Sequence, residues 1–150
     1  MFRSTAFDMF AAVQDEYRAA QFAIQTTRSV LGQDRVLRQA VALGINESLL
    51  TRCADTLEST FVLRLFSIFE SVLRDYWRHG VGRQTEPDMR PLMSSIAARR
   101  KVSGSELAAA HQIREYRNDI VHENLRAASY RLADCSRALA RFIARLPLEW

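Results

Sequence analysis

The segment TFVLRLFSIFESVLRDYW, residues 60–77, decides the fold class of this chain. Its apolar side chains recur every three or four residues, which is the spacing of a helix face and not the alternation of a strand. They form two adjacent ridges: Phe61, Leu65, Ile68, Val72 and Tyr76 in one, and Val62, Phe66, Phe69, Leu73 and Trp77 in the other. An arc of that width needs more than one neighbour to cover it. The segment therefore predicts the central helix of a bundle, a helix that supplies a dimer interface, or both.

The same helical periodicity continues before this segment, and no alternating strand pattern appears. The spacing predicts a first helix over residues 5–31 that stops at Gly32, followed by a short helical turn over residues 34–44. Asn46 is a favoured N-cap residue and predicts the start of the second helix. That helix is expected to end at residues 79–80, where glycine follows histidine.

Two further helices are predicted after a loop over residues 80–102, which contains a short helix that starts near Pro91. Ser103 and Glu106 have the spacing of a capping box and open a third long helix. The last helix is expected over residues 127–146. Its buried positions would be Leu132, Cys135, Leu139, Phe142 and Leu146. The prediction is a single all-α domain, a four-helix bundle with short accessory helices.

The composition is that of a soluble globular protein, with 48% hydrophobic and 25% charged residues. No apolar run approaches the roughly 18 residues of a membrane span, and the segment MFRSTAFDMF lacks the layout of a signal peptide. Cys53 and Cys135 lie far apart on apolar helix faces and are expected to be buried, reduced thiols. These features predict a cytoplasmic protein.

The net charge of +4 is carried almost wholly by arginine, because Lys101 is the only lysine. A basic surface favours polyanions such as nucleic acid. A compositional bias toward arginine explains the same charge equally well. Charge alone therefore identifies no partner.

The stretch REYRNDIVHE, residues 114–123, carries the candidate chemistry. On a regular helix Arg117 falls inside the apolar arc, and His122 lies about 140° around from it. The arc itself consists of Leu107, Ala110, Ile113, Tyr116, Ile120 and Val121. A core arginine needs an acidic partner or an opening where an anion binds. Glu70 on the second helix is one candidate partner, in a buried pair that fixes helix register. Glu70 is equally placed to pair with Arg74, four residues on in its own helix.

Arg117, followed by Asn118 and by His122 five positions later, resembles the motif of the HEPN family (higher eukaryotes and prokaryotes nucleotide-binding domains). SIFESVLRDYW, with Glu70, is similar to the acidic element on that family's second helix, and the resemblance covers residues 47–146. One departure is Glu123, where many members have glycine. A second match to the spacing, from Arg74 to His79, lacks the following asparagine.

The resemblance implies an endoribonuclease that needs no metal or other cofactor. The two apolar ridges of residues 60–77 predict that it is a homodimer. His122 would be the general acid or base, because imidazole exchanges protons near neutral pH. Arg117 would stabilise the phosphate charge with its planar donor fork, and Asn118 would hold the phosphate or orient the histidine. Family members of this size serve as toxins or defence nucleases restrained by a partner protein. Degenerate members bind RNA, a nucleotide or a protein without cleaving.

The other basic residues have plainer interpretations beside the functional ones. His79 is expected to interact favourably with the C-terminal end of its helix. His111 is either a support for Asn118 or a surface residue. The last helix also carries an arginine ridge, Arg137, Arg141 and Arg145. That ridge either follows a phosphate backbone or is a solvated face. No H-E-x-x-H or C-x-x-C motif predicts a metal site.

Overall fold

The computed structural model describes residues 1–31, 39–122 and 130–150, and these residues form an all-α bundle. The helices are α1 (Arg3–Val30), α2 (Glu47–Asp75), α3 (Met89–Arg100), α4 (Gly104–Val121) and α5 (Leu132–Ile143). Residues 39–42 form a further helical turn. In the described ranges the only strand-like pairing is one bridge between Phe2 and Glu149. The predicted all-α class is confirmed.

Both ends of α2 lie where the sequence predicts them. The Asn46 side chain accepts a hydrogen bond from the Leu49 N–H at 2.9 Å, which satisfies one of the unpaired donors of the first turn. After Asp75 the helix widens into a π-helical turn, Tyr76–Gly80, and stops. Gly32 and residues 34–38 of the predicted 34–44 turn lie outside the described residues.

Helix α2 is the central helix of the bundle, and it contacts each of the other four. Most of its two apolar ridges is buried: Val62, Leu65, Phe66, Phe69, Val72, Leu73 and Tyr76. The remaining three ridge residues, Phe61, Ile68 and Trp77, are half-buried against the same core. Because one chain covers both ridges, a dimer interface is not needed to explain this helix.

Helix α4 is fixed at its start by the predicted capping box. The Ser103 hydroxyl accepts from the Glu106 N–H at 3.2 Å, and the Glu106 carboxylate accepts from the Ser103 N–H at 3.0 Å. The buried residues Ala110, Ile113 and Tyr116 then hold one face of α4 in the core. Val121, expected in the same arc, is 49% exposed because it is the last residue of the helix.

Helix α5 is shorter than predicted at both ends. Residues 127–129 lie outside the described residues, and Arg131 has an extended backbone, so the helix begins at Leu132. Its start is fixed from another helix, because the Glu58 carboxylate accepts the Leu132 N–H at 2.8 Å. The five buried positions that the periodicity predicts, Leu132 to Leu146, are all confirmed.

The prediction for the two cysteines is half correct. Cys135 is buried, and that burial raises the pKa of its thiol to about 12. Cys53 is exposed, because the residues around it in the first half of α2 are largely uncovered. Among the described helices, none combines the length and the apolarity that crossing a membrane requires.

Candidate functional site

Arg117 lies where α4 passes from the core to the surface. Its side chain is half-buried, and one Nη donates to the Asn118 Oδ1 at 3.2 Å. In the described parts of the chain no carboxylate forms an ion pair with it. Among the described residues, the acidic partner that the sequence allows for this arginine is therefore not found.

Asn118 connects the other two residues of the motif. Its side-chain oxygen accepts from Arg117, and its backbone carbonyl accepts the His122 N–H at 2.9 Å. His122 caps the C-terminus of α4 and is exposed. Its imidazole has no hydrogen-bond partner within the described ranges. Glu123, the departure from the family pattern, lies outside those ranges.

Glu70 pairs with Arg74 and not with Arg117. The Glu70 Oε1 accepts from two guanidinium nitrogens of Arg74, at 2.7 and 3.0 Å, and Arg74 also donates to the Pro87 carbonyl. A partner one turn away on the same helix is held in place by the helix itself, whereas Arg117 must be reached across a helix interface. Of the two pairings that the sequence allows, the intrahelical pair forms.

The second match to the motif spacing is built differently. Arg74 is held by Glu70, and His79 lies 3.7 Å from the Asp75 carboxylate within the π-helical turn. Both basic groups therefore already have acidic neighbours. Among the described residues, neither Arg117 nor His122 forms an ion pair with a carboxylate.

Arg114 is a residue that sequence reasoning missed. It lies three positions before Arg117, which places it about 60° around on the same flank of α4. Its side chain is only 18% exposed, more buried than any other ion-paired arginine described. The sequence does indicate this burial, because an arginine three residues before the core arginine Arg117 also borders the apolar arc of α4.

His111 is half-buried and belongs to the surroundings of Arg114. Burial lowers its pKa, and the positive charges of Arg114 and then Arg90 lower it further, while Glu115 opposes the effect. The structure gives no hydrogen bond between His111 and Asn118. Its expected role as a support for that asparagine stays a prediction.

The arginine ridge of the last helix forms local ion pairs. Arg145 donates to Glu106 at 2.8 Å, and Arg137 lies 3.7 Å from Asp134. All three members are exposed. Of the two interpretations of this ridge, the structure favours a solvated face, because two of the three arginines pair with neighbouring carboxylates.

No protein-family model, no curated protein and no solved structure matches this chain. In the part of the chain that the structure describes, no three His, Cys, Asp or Glu side chains gather closely enough to hold a metal ion. The site is accordingly described by its own geometry: a half-buried arginine, an asparagine bonded to it and an exposed histidine at one helix end.

Proposed function

We propose that this chain is a metal-independent endoribonuclease of the HEPN kind. Arg117 would stabilise the phosphate charge, His122 would act as general acid or base, and Asn118 would position both. The observation that carries the proposal is the state of Arg117, a partly desolvated guanidinium bonded to an amide oxygen and to no carboxylate among the described residues. Such a group gains most from binding an oxyanion.

The chemistry requires only these groups and the substrate. The ribose 2′-oxygen attacks the adjacent phosphorus, its proton passes to a base, and the bond from phosphorus to the 5′-oxygen breaks. The leaving 5′-oxygen takes up a proton. Imidazole performs either proton transfer near neutral pH, and a fixed guanidinium stabilises the charge on the pentavalent phosphorus. The products are a 2′,3′-cyclic phosphate and a 5′-hydroxyl.

The active form in this proposal is a homodimer. Arg117 and His122 lie about 140° apart around α4, so one helix alone does not aim both side chains at one phosphate. Two copies whose α4 ends meet would offer an arginine and a histidine to the same group. Growth arrest in the cytoplasm, as a toxin or defence nuclease restrained by a partner protein, is the corresponding biological role.

The test is cleavage of a single-stranded RNA and the matching DNA in excess EDTA. The RNA should be cut and the DNA spared, because DNA lacks the 2′-hydroxyl that acts as nucleophile. Arg117→Ala and His122→Ala should each lower the rate about 100-fold or more. Arg74→Ala and His79→Ala are the matched controls and should leave the rate within a few-fold. Loss of cleavage in EDTA would overturn the proposal.

A second test separates the toxin role from the chemistry. Induced expression of the chain should stop cell growth, and His122→Ala should restore it. Growth that stops equally with both proteins would contradict a toxic nuclease.

The second candidate is a non-catalytic module that binds RNA, a nucleotide or a partner protein. It is favoured by one observation: no described group orients the His122 imidazole, whereas a general base is usually held by a hydrogen bond. In that case Arg117→Ala would weaken binding, and no RNA would be cut under any condition.

A further inference from the structure

Three basic side chains outside the Arg117 motif are not used by the proposed chemistry. His111 and Arg114 come from α4, and Arg90 comes from the first turn of α3. We call these three residues the upstream cluster. Helices α3 and α4 contact each other, and the positive charge of Arg90 contributes to the lowered pKa of His111.

Arg114 is poorly satisfied for a charged group with so little exposure. Its Nε is inaccessible and has no hydrogen-bond partner among the described residues. Its one described bond joins an Nη to the Glu115 carboxylate at 3.4 Å, and that glutamate is 63% exposed. A long bond to a solvated neighbour does little to offset the desolvation of a guanidinium.

His111 shows the same shortage of partners. Its Nδ1 is inaccessible and unpaired within the described ranges. The charged groups that act on it are Arg114 and Glu115 from α4 and Arg90 from α3. Two arginines against one largely exposed carboxylate leave an excess of positive charge around this imidazole. An oxyanion is the ligand that such an excess of positive charge accommodates.

We propose that Arg90, His111 and Arg114 form a second phosphate site, which binds a phosphodiester of the RNA strand whose scissile group Arg117 would contact. That the bound strand is RNA rests on the proposed function, whereas the affinity of the three residues for phosphate does not. Arg114 and Arg117 are about 4.5 Å apart along α4, so both can contact one strand that follows this flank of the helix. The upstream cluster would then set where along the strand the cut falls.

The test measures binding without cleavage, using a 2′-O-methyl RNA oligonucleotide in EDTA at several salt concentrations. Fluorescence anisotropy should show that Arg90→Gln and Arg114→Gln each weaken binding about tenfold, as expected for one charge-assisted contact. Each should also reduce the slope of log K against log salt by about 0.7, the value for one phosphate contact on a single strand. Arg18→Gln is the control: it removes one exposed arginine, paired with Asp15, from α1.

The control variant should keep the wild-type slope. If Arg90→Gln and Arg114→Gln bind with the affinity and slope of Arg18→Gln, the second site does not exist. Arg90 is exposed, so its substitution does not threaten the fold even if Arg114→Gln fails to fold. Arg114→Lys, which keeps the charge and loses the planar fork, should recover part of the affinity.

An NMR titration of the His111 ring with inorganic phosphate gives a second readout. Phosphate should raise the pKa of His111 in the wild type and leave it unchanged in Arg114→Gln, because a bound anion favours the imidazolium. If only the oligonucleotide produces the shift, the site takes phosphate carried on a strand. If neither ligand shifts it, the proposal is wrong. Failure of the proposed nuclease function would give a different result. The wild type would bind the oligonucleotide, this binding would depend on Arg90 and Arg114, and RNA would never be cut.

Discussion

Glu106→Gln tests how the start of α4 is held, and α4 carries the whole candidate site. The Glu106 carboxylate accepts from Arg145 at 2.8 Å and from the Ser103 N–H at 3.0 Å. Glutamine has nearly the same shape and keeps an acceptor oxygen, but it has no charge. The substitution therefore removes the charge and one of the two acceptor oxygens, and it leaves the packing in place.

The expected loss of stability follows from the protonation equilibrium of the Glu106 carboxylate. The hydrogen bond from Arg145, followed by the one from the Ser103 backbone, lowers the pKa of Glu106 from 4.5 to about 2. A carboxylate whose pKa is lower in the folded chain stabilises the fold above its unfolded value, and that contribution is lost as the pH falls. Arg145 is 49% exposed, so solvent screens the pair. We expect Glu106→Gln to lower the free energy of unfolding by about 1–2 kcal/mol at neutral pH.

Urea unfolding of the wild type and of Glu106→Gln across the acidic range measures this contribution. The difference in free energy of unfolding should be about 1–2 kcal/mol at neutral pH. It should shrink as the pH falls from 4.5 toward 2, and it should approach zero only below the folded pKa of about 2, where both chains carry a neutral side chain. The control is Glu86→Gln, which removes a carboxylate that is 65% exposed and paired with Arg78. It should cost about 0.5 kcal/mol or less.

Two results would refute this reasoning. One is equal stability of Glu106→Gln and wild type at neutral pH. The other is a difference that stays constant from neutral pH down to pH 2, because the stabilisation would then not come from the charge of Glu106.

Two further predictions follow from the same structure, and a third follows from the proposed homodimer. Glu58→Ala should cost about 1 kcal/mol in thermal denaturation, because it removes the acceptor for the Leu132 N–H at the start of α5, and Glu58→Gln should cost less. Glu70→Ala and Arg74→Ala should each cost about 0.5–1 kcal/mol, and the double variant should cost no more than either, because both break one half-exposed pair. Light scattering should give twice the monomer mass of 17.2 kDa for a homodimer, and a value of 17.2 kDa at micromolar concentration would contradict it.

The features that sequence predicts well here are those decided within a few residues of one another. The Asn46 cap and the Ser103–Glu106 capping box depend on neighbouring side chains and backbone groups, and both form as predicted. The apolar ridges of α2 identify its buried face because helical spacing alone places them together.

The features that sequence predicts poorly depend on how helices are rotated and where they meet. The start of α5 is set by Glu58, a residue 74 positions away, so local periodicity placed it too early. Which partner Glu70 takes depends on the distance across the interface from α2 to α4, which no spacing rule gives. The burial of Arg114 likewise becomes visible only when α4 is in place.

The most direct test of the nuclease proposal is a DNA oligonucleotide that contains a single ribonucleotide, incubated in EDTA. One 2′-hydroxyl offers one nucleophile, so cleavage should occur only on its 3′ side and leave a 2′,3′-cyclic phosphate and a 5′-hydroxyl. Arg117→Ala and His122→Ala should each slow that single cut about 100-fold or more, while His79→Ala should not. Cutting at other positions, or equal rates for all of these proteins, would contradict the assignment of catalysis to Arg117 and His122.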